Sequence, residues 1–196
     1  MPVDDRQLEN NYRKQVGYFC HLKMDEKHLG AILVTDQIGI PLEFKYTEPV
    51  VATKLHKILY GSVLEKFLHE TVIRDRLGQE IRSLPDYFIA SYDEKDFLGP
   101  VANRNMMAVQ KYSLPPNELS GTFNRIRERE AVVELEDEQI YLRLAFSTSD
   151  EKLQHTMVAW LQEIARTMDV LEPLDRITRA LNSICGEKEK KGLNTG

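Results

Sequence analysis

The chain has 196 residues, 42% hydrophobic and 29% charged, a balance that excludes a disordered chain and supports one ordinary core. Its formal net charge of −5 excludes a general attraction to nucleic acid or anionic membrane, so any such contact needs a local basic patch. No apolar run approaches the roughly 18 residues of a bilayer span, and residues 1–15 hold no apolar leader segment.

Residues 1–15 read as an extension to one α+β domain over 16–185, and 186–196 as a disordered tail. The first strand is predicted over 16–22. Val16, Tyr18, Cys20 and Leu22 share one face, and Phe19 and His21 the other. A hairpin follows over 28–46, through a turn at Asp36, Gln37, Ile38 and Gly39. Its second strand alternates Leu42, Phe44 and Tyr46 with Glu43 and Lys45, which predicts an apolar face in the core and a wet face outside. Three strands with short links predict an antiparallel meander.

A long helix is predicted next. Thr53 is its N-cap, and Leu55, Ile58, Leu59, Val63, Phe67 and Leu68 are its apolar stripe. Gly61 marks a kink or break, and Pro85 the end. A short strand is expected at 87–90. An irregular stretch over 101–120 is the candidate junction between sub-halves 16–100 and 121–185, although 106–112 also suits a strand. Residues 131–136 and 140–146 read as a hairpin through Asp137 and Glu138. Thr148 and Glu151 fit a capping box for a helix with the stripe Leu153, Met157, Trp160, Leu161, Ile164, Ala165 and Met168. A last helix carries Leu174, Ile177, Leu181 and Ile184, with Gly186 as its cap. The fold expected is thus α+β: a mainly antiparallel sheet, a long helix after the N-terminal meander, and two C-terminal helices packed on one face.

Most catalytic motifs are absent: no GxGxxG, P-loop, HExxH, GxSxG or CxxC. The five histidines are scattered, none at ligand spacing, so no metal site and no cofactor are expected. Cys20 and Cys185 read as buried free thiols in a reducing cytoplasm. Asp36, Glu43 and Lys45 resemble the acidic residue and E-x-K of restriction-type nucleases, with Thr35 in place of the usual Pro. That resemblance implies a divalent ion on the carboxylates and a lysine stabilising charge at the phosphate. The other reading makes Asp36 a turn residue and Glu43 and Lys45 a solvated face. Arg125, Arg127 and Arg129 would share a strand face able to grip phosphates or a partner, or else form cross-strand ion pairs with the interleaved glutamates. Tyr46, Thr47 and Glu48 stand at a strand end, where function or helix capping are the alternatives.

The order of elements over 28–185 is similar to that of longin and roadblock domains, which implies a binding scaffold. Two functions follow. The first is a non-catalytic cytosolic interaction or regulatory subunit, a protein-binding scaffold working with a protein partner or as a homodimer. The alternative is a metal-dependent nuclease or other phosphodiester enzyme using Asp36, Glu43 and Lys45.

Overall fold

The computed structural model describes residues 14–113, 123–135 and 140–193, with 187–193 as backbone alone. Nine strands form one mixed sheet: β1 (Gln15–Met24), β2 (Lys27–Asp36), β3 (Pro41–Tyr46), β4 (Val50–Val51), β5 (Tyr87–Ser91), β6 (Met106–Tyr112), β7 (Phe123–Arg127), β8 (Glu130–Leu135) and β9 (Ile140–Phe146). The spatial order is β3-β2-β1-β5-β6-β9-β8-β7, with β4 on β2. The meander β1-β2-β3 is antiparallel, as expected. β5 is parallel to β1, and β6 is parallel to β5, so the sheet is mixed and its centre is parallel. β6 then pairs with β9, which makes the sheet continuous through the stretch read as a junction.

Helices cover both faces rather than one. Leu29, Ala31 and Leu33 of β2 pack with α4 (Glu151–Ala165) and α5 (Glu172–Leu193). Ile32 and Val34, pointing the other way, pack with Ile73 and Leu77. Ile73 lies on a π-helical segment, Leu68–Asp75, and Leu77 on the short α3 (Arg76–Glu80) that continues it.

The long helix is broken where Gly61 predicts. α1 (Lys54–Tyr60) starts at Thr53, whose Oγ1 accepts from His56 N at 3.2 Å. Gly61, at φ +50, ends it, and a 3-10 turn leads to α2 (Leu64–Phe67). Its stripe is not core: Leu55, Ile58, Leu59 and Val63 are 55–69% exposed, and burial begins only at Leu68. The β3 alternation is also reversed. Leu42, Phe44 and Tyr46 are exposed because β3 lies at the sheet edge, beyond α5, which packs on β1 and β2.

Two caps differ from expectation. Asp150, not Thr148, caps α4, its carboxylate accepting from Lys152 N and Leu153 N at 2.9 and 3.3 Å. Gly186 lies inside α5, whose backbone helix runs to Leu193; residues 194–196 of the expected tail, and the side chains from 187 on, are outside the described residues. Residues 114–120 of the stretch read as a junction, and the turn at Asp137 and Glu138, are outside them too.

Trp160 is 6% exposed in the larger cluster, so Trp160→Ala is expected to cost about 3–5 kcal/mol, measured by urea denaturation. Gly30 is where the sheet and the π-helical segment touch: a Cβ there would lie 2.1 Å from Ile73 Cγ2. Gly30→Ala is therefore expected to lower stability by about 1–3 kcal/mol, since the helix must lift to admit the methyl group.

Candidate metal centre

The parallel pair β1 and β5 ends at the same side of the sheet, and in open sheets with parallel strands the carboxyl ends are where ligands are held. Four polar side chains meet there in an apolar setting. His21 stands late on β1, on the Phe19 face. His28 is near the start of β2, whose residues 29–36 are all buried. His69 comes down from the π-helical segment and is 1% exposed. Glu94 follows β5 in a 3-10 turn over Tyr92–Phe97 and is 9% exposed. The π-helical turn widens the helix just where His69 must face the sheet, a location where such turns recur at functional sites.

The contacts form a chain. His21 Nε2 and His28 Nδ1 are 3.0 Å apart. Glu94 Oε1 is 4.0 Å from His21 Nδ1, and Glu94 Oε2 is bonded to His69 Nε2. The imidazole of His69 is sandwiched against Phe97, ring centroids 4.6 Å apart, and meets His21 edge-on at 4.7 Å. Its Nδ1 is buried with no hydrogen-bond partner among the described residues. Arg74 anchors the turn that carries Glu94, its Nη1 donating to Phe97 O at 2.7 Å.

Burial drives the His21 pKa down to about 3, assisted by His69 and His28, and burial also lowers that of His28, with Lys23 adding to it. Both rings are thus neutral at pH 7, the form that ligates metals. In the tautomer where His21 Nε2–H donates to His28 Nδ1, the His21 Nδ1 is bare and faces Glu94. One ligand atom from each of His21, His69 and Glu94 lies within 4.8 Å of the other two. Ligands at about 2.0–2.2 Å from one tetrahedral ion stand roughly 3–4 Å apart, so the set fits a first-row divalent ion after side-chain adjustments of an ångström or less. Two imidazoles and one carboxylate with an open fourth position is the donor set of hydrolytic zinc sites.

The residues singled out by sequence lie elsewhere. Asp36 Oδ1 accepts from Ile38 N and Ile40 N of its own turn at 3.0 and 2.9 Å. Glu43 accepts from the amides of Arg82 and Ser83, its Oε2 at 3.0 and 2.8 Å, and Lys45 Nζ is 3.9 Å from its Oε1. Arg125 pairs with Glu151 and donates to Gln154 Oε1 at 3.1 Å. Arg127 is 3.7 Å from Glu130, across a register shift from Arg125, and Arg129 falls in the turn beyond β7. Thr47 Oγ1 accepts from Gly30 N at 3.0 Å, and Tyr46 stacks on Phe44. The grouping of His21, His69 and Glu94 was missed because its members come from three elements with no local spacing. The available signal was a histidine beside Phe19 on one face of a core strand.

No family model matches the sequence, and no curated protein does. Among solved structures the chain is similar to Endonuclease V of Ciona intestinalis in complex with inosine-containing DNA, at 14% identity, 70% of this chain, 73% of that chain and a TM-score of 0.42. It is similar to Endonuclease V of Bacillus subtilis at 13% identity, 71% and 67% coverage and a TM-score of 0.36. It is also similar to Argonaute of Marinitoga piezophila in complex with guide RNA, at 9% identity and a TM-score of 0.36, where 79% of this chain spans only 26% of that one. The expectation of a non-catalytic regulatory or protein-binding subunit is corrected here. Solved structures to which the chain is similar include Endonuclease V and Argonaute, and His21, His69 and Glu94 each offer a ligand atom within 4.8 Å of the other two.

Burial works to raise the Glu43 pKa, but the Ser83 and Arg82 amides and Lys45 together outweigh it, and the carboxyl sits below its usual range. A folded value below the unfolded one stabilises above the unfolded pKa and is lost as pH falls through the folded one. Glu43→Gln is expected to lose about 1 kcal/mol at pH 7 and to converge with the parent in strong acid, read by denaturation across pH.

Proposed function

We propose that the chain is a metal-dependent phosphodiester enzyme acting on nucleic acid, with the ion held by His21, His69 and Glu94. The observation that carries this is the convergence of those three side chains at the carboxyl ends of β1 and β5. His28 acts behind His21, fixing the tautomer that keeps His21 Nδ1 bare. Arg74 holds the Glu94 turn in place. A divalent ion there supplies Lewis acidity to a phosphoryl oxygen and lowers the pKa of water.

A cavity of about 360 Å³ adjoins the centre at His28, and Lys23, Lys57 and Ser62 line it. Lys23 is paired with Glu65 at 2.9 Å, and Lys57 with Glu26. Such exposed pairs are worth at most about 1 kcal/mol, so a phosphate can displace either carboxylate and take the ammonium group. Asp36 and Glu43 have their carboxylates engaged with backbone amides, which supports a centre built without them. The free thiols Cys20 and Cys185 suit a reducing compartment such as the cytoplasm. Among the described residues no helix is long and apolar enough to cross a membrane.

Calorimetric titration with Zn²⁺ and Mn²⁺ is expected to show one ion per chain, weakened about tenfold or more in Glu94→Gln. Cleavage of bis(p-nitrophenyl) phosphate and of DNA and RNA oligonucleotides is expected to need that ion and to be lost in the same variant. A parent that binds neither ion, or a Glu94→Gln protein that cleaves as the parent does, overturns the assignment.

A further inference from the structure

β3 is one edge of the sheet, and no strand among the described residues pairs with its outer side. An open edge is a row of unpaired amides and carbonyls, which proteins ordinarily blunt with charge, proline or a bulge. The far edge, β7, is blunted in this way: a register shift separates Arg125 from Arg127, and its last three residues are exposed. On β3 the same devices sit at one end only. Pro41 is its first residue, and its register shift against β2 falls at Val34 and Thr35. Residues 42–46 are left regular.

Backbone alternation decides which groups point outward. Thr47 N donates to Gly30 O at 2.9 Å, so the Thr47 amide faces β2. Successive residues turn their amides to opposite sides of a strand. Lys45 and Glu43 therefore also face β2, and Leu42, Phe44 and Tyr46 present N–H and C=O to the open edge. The side chains of those three residues share the α5 face, in register with the buried Leu33 and Ala31, and are 38–49% exposed. Exposed Ile40 and Val51 continue the apolar row past both ends of the strand. Glu43 and Lys45 lie on the other face. There the Arg82 and Ser83 amides hold the Glu43 carboxylate, with Lys45 Nζ 3.9 Å from it.

We infer that this edge pairs with the same edge of a second copy of the chain, antiparallel about a two-fold axis through Phe44. Phe44 then stands opposite the partner's Phe44, Leu42 opposite the partner's Tyr46, and Glu43 opposite the partner's Lys45. The outward N–H and C=O of Leu42, Phe44 and Tyr46 are all used, and the apolar face of one copy continues that of the other. Charge selects the register. Slipping by two residues in either direction sets Glu43 against the partner's Glu43, or Lys45 against the partner's Lys45, and like charges directly opposite are destabilising. Only the centred register sets every Glu43 against a lysine. Those pairs fall at the non-hydrogen-bonded positions, where Cα atoms are about 4.5 Å apart and side chains are closest. The contact is isologous, so it closes as a dimer instead of growing into a fibre. Because the strip is narrow, its area falls at the low end of specific interfaces, about 1,000–1,200 Å², and a micromolar dissociation constant is expected.

Sedimentation equilibrium of the full chain in EDTA and physiological salt, from about 1 to 200 µM, is expected to show a mass rising from 22.7 kDa towards twice that value. Phe44→Lys sets two ammonium groups on the axis and is expected to stay monomeric throughout. Phe44 is 38% exposed, so that variant is expected to keep the parent's far-ultraviolet circular dichroism. Lys45→Glu, which turns both cross-copy pairs repulsive, is expected to weaken the dimer at least tenfold. Cross-linking under mild oxidation, with the parent as blank, reads the register. Phe44→Cys is expected to cross-link to itself, since Cα atoms about 5.5 Å apart suit a disulfide. Leu42→Cys by itself is expected not to, its two copies being roughly 13 Å apart, but to cross-link when mixed with Tyr46→Cys. A parent that stays monomeric throughout overturns the inference and leaves the edge to a strand of another protein. A Phe44→Lys protein that dimerises as the parent does, or a Leu42→Cys protein that cross-links to itself faster than Phe44→Cys, overturns it as well. Because EDTA removes any divalent ion, failure of the metal centre leaves this result standing.

Discussion

The parallel register of β1 on β5 is the constraint on which the rest of the molecule depends. Val16 pairs with Tyr87, Gly17 with Phe88, Tyr18 with Ile89 and Phe19 with Ala90. β1 therefore has a strand on each side and a helical layer over each face, and Val16, Tyr18 and Phe19 are wholly buried. A polar side chain on such a strand has no route to water except along the strand axis. His21 is that side chain, and the same register sets the chain leaving β5 beside it, which carries Glu94 across.

Placing three imidazoles and a carboxylate in that setting is costly unless their polar atoms are paired. The cluster is only partly satisfied by its own members. His21 Nε2 and His28 Nδ1 face each other at 3.0 Å, Glu94 takes His69, and His69 Nδ1 is left without a partner among the described residues. The depressed His21 pKa has the same origin, since burial and two neighbouring imidazoles oppose a second proton on the ring. A divalent ion held there would take lone pairs from neutral rings and compensate the carboxylate charge, and its binding energy would then add to the stability of the fold.

The mixed sheet also determines which apolar residues stay wet. α5 lies over β1 and β2 and stops short of β3, so Leu42, Phe44 and Tyr46 remain 38–49% exposed. α1 precedes the point where the helical run reaches the sheet, and its apolar stripe has no layer above it. In both places the periodicity is that of a buried element. What is missing is the covering element, and periodicity cannot reveal that.

Local chemistry was readable from the sequence alone. The β1-β2-β3 meander, the Asp36–Gly39 turn, the Thr53 cap, the break at Gly61 and the buried Trp160 stripe each depend on residues close together in the chain. Hydrogen-bond reach, backbone sterics and side-chain alternation act over a few residues, so they leave a local trace. The parallel pairing of β1 with β5, the two-faced helical cover and the meeting of His21, His69 and Glu94 leave none. Each joins segments distant in sequence, through burial that exists only once the layers have packed. Asp36 and Glu43, which had the more suggestive spacing, were drawn instead to the nearest unpaired backbone amides. Tertiary structure decided the site because a ligand set is a property of distances in space, and spacing along a chain reports those only within one element.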